Sequence, residues 1–383
     1  MTAHHYAALV LEDGQVFYGR PFGAIHTLRT GRRGEVVFAT AMSGYQEICT
    51  DPSYRSQMVV LTYPMIGNYG IMPDDAESRR PWLSALIVRE VCAEYSNWRA
   101  TESLDAYLTR HDIPGICELD TRALTRHLRT HGTLRGILHA YPAHETPDLA
   151  ALTAQARAVR SLSQLDVVRE VSGEALDAWK PEQARRDASR VLLIDAGYKR
   201  TIARRLARQG LSVQIAPHTV DMSTVRRLQP DGVVISNGPG DPDAVVGLIQ
   251  LARSLIRARI PLMGICLGHQ VIALAAGATT SRLPFGHHGV NHPVREVRTG
   301  VITITSQNHN FQVDAASLPA RGGFYISHMN LTDGTVEGLA HEELPVFSVQ
   351  YHPEAAPGPQ ENRVRFERFA ALIARSRGAA LAG

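Results

Sequence analysis

The chain has 383 residues, of which 44% are hydrophobic and 20% charged, and its 40 basic and 37 acidic side chains leave a formal charge of +3. At about 150 residues per domain this is room for two compact units and a connecting segment, and the proportions exclude a single small module, a fibrous protein and a disordered chain. Both signs of charge are spread along the chain without a block of like charge, so no nucleic-acid partner is implied.

From the N-terminus, AALVLEDGQVFYG reads as two alternating apolar runs about an Asp13-Gly14 turn, the pattern of a hairpin. Strand patterns follow in GEVVFATAM, MVVLTYP and LSALIVREV. A helix is predicted in TESLDAYLTRHD, a strand in PGICEL, a helix in DTRALTRHLRTHG with Asp120 as N-cap and Gly132 as C-cap, and a strand in LRGILH. Together these predict a smaller mixed α+β domain over 1–150. Residues 151–189, rich in Ala, Arg, Glu and Ser with Pro181 near their end, read as a helix followed by a linker. From Arg190 the rhythm changes to strand VLLIDAG, helix KRTIARRLARQG, strand LSVQIAP, helix STVRRLQ, strand GVVISNG, helix VVGLIQLARSLIRAR, strand IPLMGI and helix GHQVIALAAG. Strands that alternate with helices predict an α/β domain over 190–383 built on a doubly wound, mostly parallel sheet, with ligands bound in the loops at the carboxyl ends of its strands.

The four cysteines, Cys49, Cys92, Cys117 and Cys266, are too few and scattered for a disulfide framework and form no C-x-x-C pair. A reducing compartment fits them. No basic and apolar leader pattern opens the chain, and no apolar run approaches the roughly 18 residues of a membrane span, so a cytoplasmic protein with no membrane partner is expected. Only Lys180 and Lys199 are lysine, leaving 38 of the 40 basic residues as arginine. Codon bias accounts for an Arg-rich surface, but not for the places where lysine is kept.

Three motifs carry chemistry. Gly264-Ile265-Cys266-Leu267-Gly268-His269-Gln270 falls where a strand meets a helix, the spacing of a nucleophile elbow with sulfur in place of a hydroxyl. At that helix N-terminus free N–H groups and the dipole favour a thiolate. In VFSVQYHPEAAPGP, His352 and Glu354 stand two apart at the end of a predicted strand, so that both project to one face and the carboxylate orients an imidazole that serves the sulfur. Ser236-Asn237-Gly238-Pro239-Gly240-Asp241-Pro242 follows strand GVVIS directly, and its backbone points N–H groups at an oxyanion. An oxyanion hole shared by the N–H groups of Gly238 and Leu267 is expected.

GICLGHQ, SNGPGDP and HPEAAPGP together resemble the class I, triad-type glutamine amidotransferases, which hydrolyse glutamine to glutamate and ammonia. MSGYQEICTDPSY, LTYPMIGNYG, FGHHGVNHPV and SQNHNF narrow the resemblance to the small subunits of carbamoyl phosphate synthetases, and it covers essentially the whole chain. The resemblance implies that Cys266 forms a thioester, that His352 protonates the leaving ammonia and then activates water, and that Glu354 orients His352. It implies glutamine contacts at Ser53, Gly238, Gly240, Leu267, Gln270, Asn308 and Phe311. It implies one more at Asn310, which stands where the family has glycine; asparagine tolerates a left-handed backbone better than most residues with a β-carbon, so a backbone contact there can survive.

The resemblance places the histidine-rich segment His287, His288 and His292, with His309, as structural, and no metal is expected. ATP and Mg²⁺ are expected in a large-subunit partner, since the chain shows no P-loop motif. A heterodimer, or a higher oligomer of it, would make carbamoyl phosphate from bicarbonate for arginine and pyrimidine biosynthesis, with the first domain as docking surface. Lys199, in IDAGYKRTIARRL at the carboxyl edge of the sheet, is expected beside the route by which ammonia leaves, or as a buttress of that face. A glutaminase serving another synthetase is disfavoured by the first-domain motifs. A catalytically silent scaffold is disfavoured by the intact Cys266, His352 and Glu354.

Overall fold

The computed structural model describes residues 5–179 and 188–382, without the side chains of 379–382; Lys180 and the rest of the predicted linker up to 187 lie outside the described residues. Two compact units form, one from residues up to Leu165 with Pro284–His288, the other from Asp166–Leu283 with the residues from Gly289 onward.

The first unit is a closed barrel. Its strands run in the order His5–Leu11, Val16–Gly23, Pro114–Cys117, Ala85–Ile87, Gln57–Leu61, Arg32–Ala39 and Leu134–Pro142, and the last pairs back onto the first. The predicted hairpin is present, with Val10 opposite Val16 and Gly14 left-handed at the turn. Leu9, Leu11, Val36, Met58, Val60, Ile116 and Leu138 fill the barrel core together with Leu124 and Leu128 of the helix Thr121–His131. That helix has the predicted caps: the Asp120 carboxylate accepts the Ala123 N–H at 2.9 Å, and Gly132 ends it at positive φ. Leu124 is fully buried, so Leu124→Ala should cost about 3 kcal/mol by leaving a cavity. A urea titration of barrel secondary structure checks this, and an unchanged midpoint would show that the helix does not seal the core.

Residues 151–189 take part in both units. The helix Leu149–Arg157 lays Leu152 and Ala156, four apart on one face, against Ala8, Val10 and Ile137 of the barrel wall. Val168, in the short helix Val168–Val171, joins the core of the second unit.

The second unit is built on a ten-stranded sheet. Its centre is parallel, in the order Ser212–Pro217, Arg190–Asp195, Gly232–Ile235, Leu262–Ile265 and Val346–Val349. Alternate residues of one strand serve opposite faces. Leu192 and Ile194 meet the helices Val246–Arg257 and Leu267–Ala276 on one side; Val191 and Leu193 meet Arg200–Arg208 and Val364–Ala382 on the other. The short strand Asp177–Ala178 flanks one edge, and the opposite side is extended by Val336–His341, Phe324–Asn330, Thr280–Glu296 and Ile302–Val313, with antiparallel pairing. The loops after the parallel strands end on the residues singled out by the motifs.

Candidate active site

Cys266 follows the strand Leu262–Ile265 and caps the helix Leu267–Ala276 with φ 52° and ψ −104°, a left-handed conformation rare for a residue with a β-carbon. Close packing of strand and helix enforces it. A Cβ on Gly264 would stand 2.5 Å from the Gly268 carbonyl oxygen, and one on Gly268 would stand 2.1 Å from that of Ile235. The Cys266 N–H donates to the Val349 carbonyl at 2.9 Å, tying the elbow to the neighbouring strand. In the first helical turn the N–H groups of Gly268, His269 and Gln270 are taken by the carbonyls of Ser236 and Cys266. Among the described residues that leaves the Leu267 N–H as a first-turn donor without a backbone partner, placed to meet an oxyanion.

The loop after Gly232–Ile235 lies against this helix start. Gly238 approaches Leu267 so closely that a Cβ would fall 2.9 Å from Leu267 Cδ2 and 2.1 Å from the Ala196 carbonyl oxygen. The two residues expected to share an oxyanion hole are thus brought together. Ser236 Oγ accepts the Ala196 N–H at 3.0 Å and donates to the Asn237 carbonyl at 2.8 Å, and Asn237 Oδ1 accepts the Lys199 N–H at 3.2 Å. Gly240 turns the loop at φ 89°.

His352 and Glu354 do not project from a strand. The strand stops at Val349, and the pair lies in a turn in which the Ala355 N–H donates to the His352 carbonyl at 3.1 Å. Pro353 between them has no N–H to give a ladder, which favours the turn. Their side chains nevertheless meet, with His352 Nδ1 and Glu354 Oε1 2.6 Å apart. Lys199 adds a contact absent from the motif pattern: its Nζ is 3.0 Å from the same Oε1 and donates to the Ala355 carbonyl.

Cys266, His352 and Lys199 are each 2% exposed and Glu354 is wholly buried, so these charges act with little screening by water. Burial, the largest single influence, pushes the His352 imidazole down and Lys199 acts the same way, but the charge and hydrogen bond of Glu354 together with the Cys266 side chain hold the ring above the ordinary histidine range. Burial would likewise raise Glu354, and the Lys199 ammonium followed by His352 holds it below the usual carboxylate range. Among the described residues His352 Nε2 makes no hydrogen bond in normal geometry, while Cys266 Sγ is 3.5 Å from the Asn308 carbonyl.

Of the other predicted residues, Gln270 has its Nε2 committed to the Phe311 carbonyl at 2.8 Å and to Gln350 Oε1 at 3.0 Å. Phe311 is buried, with the Arg282 guanidinium over its ring. Asn310 lies inside the extended strand Ile302–Val313 and is not among the residues with positive φ, so its tolerance of a left-handed backbone is not called on there. Ser53 belongs to the first unit, buried in the short helix Pro52–Tyr54, with its N–H on Asp51 Oδ1 at 2.9 Å. His288 packs its ring near Tyr54 in that same unit. His309, in the second unit, has its ring nitrogens 2.8 Å from the Phe311 carbonyl and 2.9 Å from Gln307 Oε1.

One buried residue of this region has no counterpart among the expectations. His269, in the first turn of the helix Leu267–Ala276, has Nδ1 2.8 Å from Ser348 Oγ, and burial pushes its imidazole down to about 3, which keeps it neutral beneath the elbow. Its place within GHQ, on the inward face of a helix with apolar neighbours, is the signal that would have found it.

Residues 9–138 match the carbamoyl-phosphate synthase small chain, CPSase domain family, and residues 192–372 match the glutamine amidotransferase class-I family. The chain is 48% identical over 367 residues to the carbamoyl phosphate synthase small chain of Symbiobacterium thermophilum, covering 96% of this chain and 98% of that one. It is 47% identical over 372 residues to the small chain of Chlorobaculum tepidum, with the same coverage. It is 46% identical over 373 residues to the pyrimidine-specific small chain of Halalkalibacterium halodurans, covering 97% and 98%.

Proposed function

The chain belongs to the carbamoyl phosphate synthase small chains, and on that premise we propose that it hydrolyses glutamine through Cys266, His352 and Glu354. The observation that carries this reading is a strained cysteine at a helix start and a buried, ion-paired histidine in one closed site. The Cys266 thiol passes its proton to His352 Nε2, and the thiolate adds to the carboxamide carbon of glutamine. The oxygen of that carbonyl becomes an oxyanion facing the N–H groups of Gly238 and Leu267. The imidazolium returns its proton to the departing nitrogen, which leaves as ammonia, and a thioester remains on Cys266. His352 then takes a proton from water, the hydroxide attacks the thioester, and glutamate departs as the thiol is restored. Glu354 keeps the imidazole in the tautomer with Nε2 free to accept, and stabilises the charged ring that forms twice in the cycle.

Ser53, Gly240, Gln270, Asn308, Asn310 and Phe311 are assigned to the glutamine site. The ammonia passes to a large-chain partner holding ATP and Mg²⁺, where it combines with bicarbonate, the two chains forming at least a heterodimer. The product serves arginine and pyrimidine synthesis, and the pyrimidine-specific name of one relative supports the second. Four free cysteines suit a reducing, cytoplasmic compartment, and among the described residues no helix is long and apolar enough to cross a membrane.

A glutamine analogue with a chloroketone in place of the carboxamide tests the site directly. It should attach once, to the peptide carrying Cys266, and glutamine should protect against it. Attachment at Cys92 instead, or labelling indifferent to glutamine, would contradict the assignment.

A further inference from the structure

We infer that Lys199 is a positioning residue of the reaction, pinning the Glu354 carboxylate and the Ala355 carbonyl so that Glu354 can hold His352 in register with Cys266. The inference rests on the triad reading above and assigns a part of the machinery that the triad itself does not contain.

Lys199 joins three loops of the site. Its N–H is held by Asn237 Oδ1, next to Gly238; its own turn is braced by Asp195 Oδ1, which accepts the Gly197 and Tyr198 N–H groups at 2.8 and 3.0 Å; and its ammonium reaches the turn of Glu354. That turn needs holding. Ala355 and Ala356 both stand at φ 59°, a conformation that residues with a β-carbon keep only where the surroundings over-determine it. The bond from Lys199 Nζ to the Ala355 carbonyl is one such restraint.

Charge supports the same role. Glu354 is wholly buried, and a carboxylate out of water must be paired. Lys199 supplies that pairing while the catalytic histidine changes charge. It shares Glu354 Oε1 with His352, leaving Oε2 with no hydrogen bond among the described residues. A compact ammonium places donors on a carboxylate oxygen and a carbonyl at once, in a pocket that leaves the residue 2% exposed; a guanidinium is larger and planar and would set its donors at different points. In a chain with 38 arginines, this is a physical reason for one of its two lysines.

The holoenzyme, small chain with its large-chain partner, provides the test. Lys199→Met should lower kcat for glutamate release on the order of ten- to hundredfold, since a displaced orienting group costs that much without touching substrate. KM for glutamine should stay within about twofold, because ground-state binding is not removed. The acid limb of the kcat profile should move up by about one pH unit or more, as Glu354 loses the cation that favours its ionised form. Lys199→Arg should restore the limb without restoring kcat. Ammonia-dependent carbamoyl phosphate synthesis should be unchanged, which reports intact assembly.

Wild-type hydrolysis with an unmoved profile overturns the inference. So does intact hydrolysis with less carbamoyl phosphate made per glutamate, which would place Lys199 on the ammonia route. Should Lys199→Met alone not accumulate, the Glu354→Gln background removes the buried charge. There, adding Lys199→Met should lower kcat by no more than about twofold, and a full multiplicative loss overturns the coupling. Cys266→Ala separates the two levels: if it still hydrolyses glutamine the triad reading fails, and if it is inert while Lys199→Met is normal only the present inference fails.

Discussion

Cys266→Ala should lower glutamine-dependent glutamate release by about 10⁴-fold or more if Cys266 is the nucleophile, as proposed, because residues that act as one catalytic unit lose nearly everything when the nucleophile is removed. The size of the loss follows from the site. Alanine tolerates left-handed φ no better than cysteine, yet the glycines on either side, and hence the positions of the Gly238 and Leu267 N–H groups, are unaffected by the side chain at 266. What remains is binding and oxyanion stabilisation without a group that can form the thioester. Cys266→Ser keeps a hydroxyl at the same point and should be nearly as inert, since an alcohol in this site yields its proton to His352 far less readily than a thiol. Free ammonia bypasses the step, so ammonia-dependent carbamoyl phosphate synthesis by the holoenzyme should persist in both variants. Glutamate release from glutamine, measured by coupled assay, decides the matter: a Cys266→Ala protein within tenfold of wild type would remove the thioester from the mechanism.

Gly268→Ala is expected to destabilise the second unit by about 3 kcal/mol, at the upper end of what an added methyl costs in a packed interior. Its Cβ would stand 2.1 Å from the Ile235 carbonyl oxygen, so the helix Leu267–Ala276 must move away from the strand Gly232–Ile235. That movement also breaks the Gly268 N–H bond to Ser236, 3.1 Å long, and separates Gly238 from Leu267. Activity should therefore fall along with stability. Gly247→Ala offers the opposite sign. It lies in the helix Val246–Arg257 with nothing within 4 Å of the built Cβ, and should stabilise by about 0.5 kcal/mol through reduced backbone freedom in the unfolded chain. Thermal unfolding of the two variants beside wild type checks both. Equal midpoints would mean that strand and helix at the elbow are not packed as closely as described.

The parts of this structure legible from sequence are those written in local patterns. The alternation of apolar runs with amphipathic stretches after Arg190 is enough for the parallel centre, because both faces of such strands are covered and read as VLLID or GVVI without polar gaps. The elbow is legible for a similar reason: only glycine fits at 264 and 268, so the steric demand leaves its mark in the sequence itself. Asp120 and Gly132 announce the ends of their helix because a cap is a contact between near neighbours.

Other features turn on residues far apart in the chain. Arg32–Ala39 pairs with Leu134–Pro142 to close the barrel, a pairing across about a hundred residues that no alternating pattern specifies. The same separation hid the membership of Pro284–His288 in the first unit, where the Thr133 N–H donates to the Pro284 carbonyl at 2.8 Å. His352 and Glu354 were recognisable as partners from their spacing, but the turn that joins them was not, since an apolar run cannot show where a strand stops short of its motif. Asparagine at 310 is compatible with either a left-handed or an extended backbone, and only the structure shows it within the strand Ile302–Val313.

By itself, then, the sequence determined the class of fold, the elbow cysteine and its histidine and glutamate companions, since these depend on spacing, sterics and residue type within short segments. Tertiary structure alone decided that the first unit closes into a barrel and that Lys199 meets a carbonyl 156 positions away. Contacts of that kind are set by where chain ends of different strands converge, and a buried ammonium and a surface one are spelled with the same letter.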